Sequence, residues 1–425
     1  MSTTFEDFVE ARPAPEQSTG LVRWLRENLF SGIINSIITL LMIVVLYWVV
    51  STFLRWALNT PGWAAVVNNL KLFMVGSYPV ATVGEGGAAV GNPLVWRVMA
   101  ACWILGALLG LTSGIWKETL RVFLFGFAVL SVLIGLFVAI VPGSETIVYQ
   151  IDPVVFWFAL AAILVGSYTI GTRMGDRLRW PLIIAWLLSF PGLWLLLQGG
   201  VLGIERVPTN LWGGLLVTLS LTIVGILASF PLGILLALGR RSTLPVVRLF
   251  CTVYIEVVRG VPLITFFFMA QLLLPLFLDA DLRVDNLIRA MVAVTLFSAA
   301  YLAENVRGGL QAIPRGQYEA AQALGLNYFY TTIFITLPQA LRIVIPALVG
   351  QFIGLFKDTS LVSIVGILDL IGISAAVRAQ PEWLGLAGGV FREVLFFLAL
   401  VYFIISFAMS RVSLQIERNL GVGTR

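Results

Sequence analysis

Four consecutive residues, Lys357, Asp358, Thr359 and Ser360, place two ionisable groups and two hydroxyls in a stretch that is otherwise apolar from Leu348 to Leu368. Left in lipid, either charge costs roughly 2.5 to 3.5 kcal/mol, so both must face a protein interior, a water-filled cavity or the outer surface. Thr359 or Ser360 can cap a new short helix, whose first NH groups then offer a site for an anion such as a carboxylate. Lys357 can pair with Asp358 or Asp369, or meet the carboxylate of a bound molecule. A purely structural ion pair across a broken helix is the plain alternative. Glu304 and Arg307 are three residues apart and fit one helical face. Such pairs are more often structural than ligand-binding, yet Glu304 joins Lys357, Asp358, Thr359 and Ser360 as the candidates for lining a path through the membrane.

Between these elements lies RGQYEAAQALGLNYFYTTIFITLP, Arg315 to Pro338. Pro314 suits the first turn of a helix, and good helix formers follow it until Gly325. Tyr318, Ala321 and Leu324 fall on one side of that helix, whereas Arg315, Gln317, Glu319 and Gln322 lie mostly elsewhere. About three turns of so polar a helix cannot cross a bilayer, so it lies at the surface, free to meet a partner. Ala320 and Ala321 permit close approach of another surface, and Gly325 permits a sharp turn. An ordinary loop helix is the bland reading of such a segment taken alone.

These segments must be positioned by membrane helices. The chain has 425 residues, of which 59% are hydrophobic and 12% charged. Such a composition has no way to hide its apolar surface in water, and reads as a polytopic, all-α membrane protein. The net charge of +5 marks topology, since the basic residues punctuate apolar spans and no basic groove with stacking aromatics suggests nucleic acid. With no His, and with only Cys102 and Cys251, neither a His-based catalytic site nor a Cys/His metal site can be built. Apolar segments occur near Ile33–Phe53, Leu94–Gly114, Val122–Val141, Val154–Ile170 and Trp180–Leu197. Five more begin near Leu211, Pro262, Leu287, Ala340 and Phe391, making about ten spans if the piece after Ser360 does not cross. Arg26, Lys117, Arg121, Arg173, Arg240, Arg241, Arg307, Arg315 and Arg342 fall on one side, which the positive-inside rule makes the cytoplasm, with both termini there. Glu145, Asp152, Asp279, Asp281 and Asp285 fall on the other, whose loops are poorer in basic residues although Lys71, Arg206 and Arg283 also lie there. Residues 1–30 read as a cytoplasmic leader, disordered to Gly20, and the glycine-rich stretch Asn59–Asn92 as an irregular external loop. GxxxG pairs at Gly106, Gly110 and Gly114 mark helix packing.

Glu319-Ala320-Ala321, Gly325, Ile335, Leu337 and Pro338 resemble, at every motif position, the EAA signature of bacterial ABC importer permeases. EVVRGVPLI at Glu256–Ile264, YLAENVRGGLQAIP at Tyr301–Pro314 and GLFKDTSLVSIVGILDL at Gly354–Leu370 resemble the polar amino acid branch of that family. They look especially like the long, M-type permease subunit of general L-amino acid systems, also found in cyanobacterial neutral and acidic amino acid uptake. The resemblance implies accessory helices over 31–200, a five-helix permease core over 211–420, and a coupling loop at 309–338. Arg315, Glu319, Ala320, Ala321, Leu324 and Gly325 would then dock on an ATP-hydrolysing subunit. It also implies a second related permease, two ATPase subunits that hold ATP and Mg, and a periplasmic amino-acid-binding protein, with the chain itself in the bacterial inner membrane and binding no cofactor or metal. No Walker-type G-x-x-x-x-G-K-[ST] occurs, because none of the three lysines follows a glycine. An ion-coupled secondary transporter or a channel is the competing class, and inverted repeats or several mid-span acids would favour it. A membrane scaffold leaves Lys357 and Asp358 unexplained.

Overall fold

A computed structural model describes residues 20–83, 89–90, 93–116, 121–140, 147–148, 151–201, 203–279, 284–386, 389–419 and 421. Most of the leader, the loop glycines Gly84, Gly86, Gly87 and Gly91, Lys117, Glu145, Asp281 and Arg283 lie outside the described residues. The chain forms two compact units, Met1–Pro61 and Gly62–Arg425. The first contains α1 (Leu21–Asn28), inside the stretch read as leader, and α2 (Ile33–Asn59). α2 buries none of its residues, and its 27-residue length and apolar composition suit one crossing.

The second unit begins with the short helices α3 (Trp63–Asn68) and α4 (Leu70–Val75). Four long helices follow: α5 (Trp96–Ile115), α6 (Arg121–Ile140), α7 (Pro153–Met174) and α8 (Arg179–Gln198). The loop read as irregular is partly ordered. Strands β1 (Ala81–Val83) and β2 (Ala89–Val90) pair antiparallel, and β3 (Ile147–Val148) joins β1 on its other edge. Strands of two or three residues are too short for alternation to reveal them; their valine, isoleucine and threonine content favours extended backbone.

α7 and α8 form one apolar run of 46 residues, Pro153–Gln198, far more than one crossing needs. Their contacts with α5 show that the chain reverses between them. Along α5 and α7, Gly106 meets Leu160, Gly110 meets Ser167 and Gly114 meets Gly171, so these helices run parallel. Along α8 the order inverts: Trp186 donates to Thr112, and beyond the far end of α8 the Glu205 carbonyl oxygen accepts from Arg97. Gly175, at φ 48, makes the reversal.

The remaining helices are α9 (Gly214–Arg240), α10 (Pro245–Gly260), α11 (Leu263–Phe268), α12 (Asn286–Gln311), α13 (Arg315–Ala323), α14 (Tyr328–Tyr330), α15 (Leu337–Asp358), α16 (Leu370–Arg378), α17 (Pro381–Leu384) and α18 (Phe391–Asn419). α10 and the helical stretch Leu263–Phe277 meet at a 105° bend, because Val261 is extended and Pro262 supplies no NH. Eight helical runs among the described residues are long and apolar enough to cross, or nine with the bent pair. Counting α7 and α8 separately, as the reversal at Gly175 requires, adds one and makes ten crossings. α9 and α12 run parallel, with Gly225 against Val294 and Gly233 against Leu302, whereas α15 runs antiparallel to α12, with Gly309 against Ala340 and Gln351 bonded to Ser298. Tyr78, Leu197, Trp212, Val217, Met291 and Val294 belong to one buried apolar cluster, and Ala65, Val66 and Phe73 to a second with Ile373, Val377 and Leu398. The segment after Gly62 therefore packs on the C-terminal helices.

Candidate functional site

α11, α12, α15 and the segment just after α15 line a half-open cavity of about 310 Å³, in which Asp358 is exposed. Its polar lining is Asp358, Gln351, Ser298 and Tyr301; Leu263, Val294, Phe297, Gly354, Leu355 and Leu361 complete the wall. Ser298 lies near the middle of the 26-residue α12. At a rise of roughly 1.5 Å per residue it stands about 18 Å from the start of that helix and about 20 Å from its end, so the cavity lies near mid-span. Gln351 donates to the Ser298 carbonyl oxygen at 2.9 Å and accepts from Asn305 at 2.7 Å, which fixes its amide. No basic side chain is among the described residues that line the space. Asp358 therefore offers a carboxylate, with fixed dipoles and an aromatic wall around it, where an ammonium group could be held.

Of the five path candidates read from the sequence, only Asp358 reaches this cavity. Lys357 is exposed and does not line it; among the described residues no salt bridge within 4 Å joins it to Asp358 or Asp369, although its charge lies near enough to act on its neighbour Asp358. Thr359 is fully buried and donates back to the Phe356 carbonyl oxygen at 2.7 Å, while the Ser360 carbonyl oxygen accepts from Ser363. The break in the helix is real but capped differently. Residues Thr359–Val365 form a 3₁₀ segment, Gly366 turns the chain at φ 83, and Asp369 caps α16 by accepting from the Gly372 NH at 2.8 Å. Thr359 cannot cap, because its hydroxyl is spent on the preceding turn. Asp369 is wholly buried beside the start of α9, where the Thr218 hydroxyl accepts from the Leu370 NH at 3.2 Å. Burial disfavours the charged form and pushes its carboxyl up to about 7.

Glu304 belongs to a separate ion cluster. Arg307 on the same helix grips it, Arg240 of α9 approaches it at 3.3 Å and Arg259 of α10 at 3.6 Å; Arg240 also holds Glu256 at 2.7 Å. Three guanidiniums and two carboxylates thus tie together the ends of α9, α10 and α12. Tyr301 links this cluster to the cavity. Its ring lines the space, its centroid lies 5.6 Å from the Arg259 guanidinium, and its hydroxyl donates to the Arg259 carbonyl oxygen at 3.4 Å. A guanidinium at that distance is attracted by the face of the ring.

Just beyond the end of α12, α13 presents the third site. Arg315, Glu319, Ala320, Leu324 and Gly325 are exposed, while Ala321 turns inward and is buried. The close approach that alanine permits at 321 is thus toward the chain itself, and at 320 toward the outside. Gly325 adopts φ 74, with the Leu326 NH bonded to the Ala321 carbonyl oxygen at 3.0 Å, a left-handed helix terminus. Arg241, Arg315, Tyr318, Glu319 and Gln322 line a surface crevice of about 360 Å³.

Residues 229–421 match the family described as binding-protein-dependent transport system inner membrane component. Over 415 residues the chain is 38% identical to the inner membrane amino-acid ABC transporter permease protein YhdY of Escherichia coli (strain K12), covering 97% of this chain and 96% of that protein. The chain belongs to the amino-acid ABC transporter permeases. It is also 36% identical to the glutamate/glutamine/aspartate/asparagine transport system permease protein BztC of Rhodobacter capsulatus, with 97% of each chain covered. Among solved structures, a chain of an amino acid ABC transporter with histidines is 29% identical over 48% of this chain and 92% of its own length, at a TM-score of 0.43.

The cavity, the ion cluster and α13 of this permease all fall within the 229–421 match, whereas α5 to α8 lie before it. Ser298, Tyr301 and Gln351 escaped the sequence reading because a lone polar residue in a helix carries no local pattern. The signal that could have found Gln351 is its place seven residues before Asp358, on the same face of one helix.

Proposed function

We infer that this permease is the membrane-spanning subunit of an ATP-driven importer that passes L-amino acids, received from a periplasmic binding protein, into the cytoplasm. It pairs with a second, related permease and with two ATPase subunits that hold ATP and Mg. The likeness to amino-acid ABC permeases over nearly the whole chain carries this reading. The exposed face of α13, with Glu319, Ala320, Leu324 and Arg315, is its contact with an ATPase subunit. The mid-span cavity receives the amino acid, whose ammonium group meets Asp358. Basic residues on the α13 side support a cytoplasmic placement of both termini and of α13. Inverted repeats or several mid-span acids would mark an ion-coupled carrier; no such repeat is visible in the sequence, and among the described residues a single carboxylate lines the cavity.

Vesicles reconstituted with the full complex test the reading. Uptake should require internal ATP and the ATPase subunits and should persist when ion gradients are collapsed. Uptake that follows an ion gradient without ATP overturns it. Orientation is tested in sealed cells: a cysteine at Asp279 should react with an impermeant reagent from outside, and one at Arg315 should not.

A further inference from the structure

We propose that the adjacent residues Arg240 and Arg241 are positioning residues that link filling of the cavity to the setting of α13. The inference rests on the reading of the cavity as the amino acid site and of α13 as the ATPase contact. Arg240 closes α9, and Arg241 follows directly. Arg240 turns toward the ion cluster, where it meets Glu304 and Glu256. Glu304 also meets Arg259, whose guanidinium lies against the Tyr301 ring that walls the cavity. Arg241 turns the other way. Its Nη1 donates to the Leu310 carbonyl oxygen and to the Tyr318 hydroxyl, both at 3.4 Å, and the Tyr318 hydroxyl reaches the same carbonyl oxygen at 3.4 Å. The guanidinium lies 6.0 Å from the Tyr318 ring centroid.

Tyr318 is the half-buried anchor of α13, so one turn of α9 touches both the cavity's ion cluster and the helix that faces outward. One peptide unit joins their Cα atoms, so a shift of the end of α9 carries the anchors of both side chains together. A displacement of Tyr301 by an occupant shifts Arg259 and Glu304, hence Arg240, hence the Arg241 contacts that set the tilt of α13. The Arg241 hydrogen bonds, at 3.4 Å, are at the long limit for such contacts, so they can be broken and remade readily, as a two-position brace requires.

The test uses the reconstituted complex with its ATPase and binding protein. Two quantities are read: the ratio of ATPase rates with amino-acid-loaded and empty binding protein, and amino acid moved per ATP hydrolysed. Arg241→Gln should lower both by about fivefold or more, the lower end of ordinary coupling between sites. Arg241→Lys should recover part of the loss, and Tyr318→Phe should give a smaller loss of the same kind. In the double variant Arg241→Gln/Tyr318→Phe the losses should not multiply, because both remove one brace. Arg248→Gln, an exposed charge on α10, serves as the control and should match the wild type. A wild-type ratio in both Arg241→Gln and Tyr318→Phe overturns the proposal, as do losses that multiply in the double variant. If Arg241→Gln fails to assemble, Tyr318→Phe decides alone. Asp358→Asn separates the two readings: if it leaves uptake of acidic, neutral and basic amino acids unchanged, the cavity assignment falls. If it alters uptake while the Arg241 and Tyr318 variants do not alter the ratio, the cavity stands and the linkage falls.

Discussion

Gly110 and Gly114 bring α5 against α7 so closely that a Cβ added at Gly114 would strike the Tyr168 carbonyl oxygen; Gly309 does the same for α12 and α15, where a Cβ would lie 2.6 Å from the Ala340 carbonyl oxygen. The packing device is shared, but the surroundings differ. Beside the first contact the polar groups are uncharged hydroxyls, Ser167 donating within its own helix to Ile163, and Thr112 donating to Leu108 while accepting from Trp186 of α8. α12, by contrast, carries Ser298, Tyr301, Glu304 and Arg307 toward the cavity and ion cluster. Close packing in membranes needs small residues wherever helices meet, so it does not by itself mark function. A cluster of charged groups held away from lipid is a stronger pointer, because each has to be stabilised against a large insertion cost; the lone buried Arg97 of α5 is instead spent on the Glu205 carbonyl oxygen.

The sharpest way to break this contrast is to overfill both contacts. Gly309→Leu should separate α12 from α15, displace Ser298 from Gln351, and reduce uptake per assembled complex by about 100-fold, equivalent to ~2.7 kcal/mol. Gly114→Leu should cost stability by about 1 to 3 kcal/mol through overpacking yet leave uptake per assembled complex within about twofold. Thermal unfolding and vesicle uptake, both normalised to purified complex, check the pair. Equal losses of uptake would erase the distinction between the two regions.

Gly325→Val comes next. Nothing lies within 4 Å of a Cβ added there. The whole effect therefore arises from forcing a β-branched residue into the left-handed region, a strain of about 1 to 2 kcal/mol. Uptake should fall about tenfold with the complex still assembled, and Gly325→Asn should lose less, because Asn tolerates this region better. A Val variant that transports at the wild-type rate removes α13 from coupling.

Asp358→Asn should raise the concentration needed for half-maximal uptake about fivefold, the loss of one charge-assisted contact worth ~1 kcal/mol, while expression is unchanged. The neighbouring Lys357→Ala should change it less than twofold, since Lys357 does not line the cavity.

How much of this was legible follows from the range of the interactions. The ten spans, the left-handed turn at Gly325 and the Glu304–Arg307 pair depend on residues a few positions apart, and periodicity or spacing shows them. The approach of Arg240 to Glu304 joins residues 64 apart, and the hydrogen bond from Gln351 to Ser298 joins residues 53 apart. No local pattern encodes either. The Lys357–Ser360 break was visible as charge in an apolar run. That its four residues part company, with Asp358 to the cavity and Thr359 into the protein, depends on which helices pack on each side. Asp369 is hidden as the cap in the sequence because the 3₁₀ segment Thr359–Val365 delays the next helix.

Asp369 supplies the prediction with the smallest expected effect on uptake. It lies in the connection between α15 and α18, outside the spanning helices, and its carboxyl is pushed by burial from the ordinary 3.8 to about 7. Between these values the folded chain holds a proton that the unfolded chain releases. Stability is therefore greatest at low pH and declines as pH rises toward 7, by at most on the order of 1 kcal/mol per pH unit, then levels off. Asp369→Asn keeps an oxygen to accept from the Gly372 NH but carries no titrating proton. Its thermal midpoint in detergent should be flat where the wild type slopes downward between about pH 5 and 7, with uptake at neutral pH within about twofold of wild type. An identical slope in both proteins would show that another group sets the pH dependence and that Asp369 is ionised when buried.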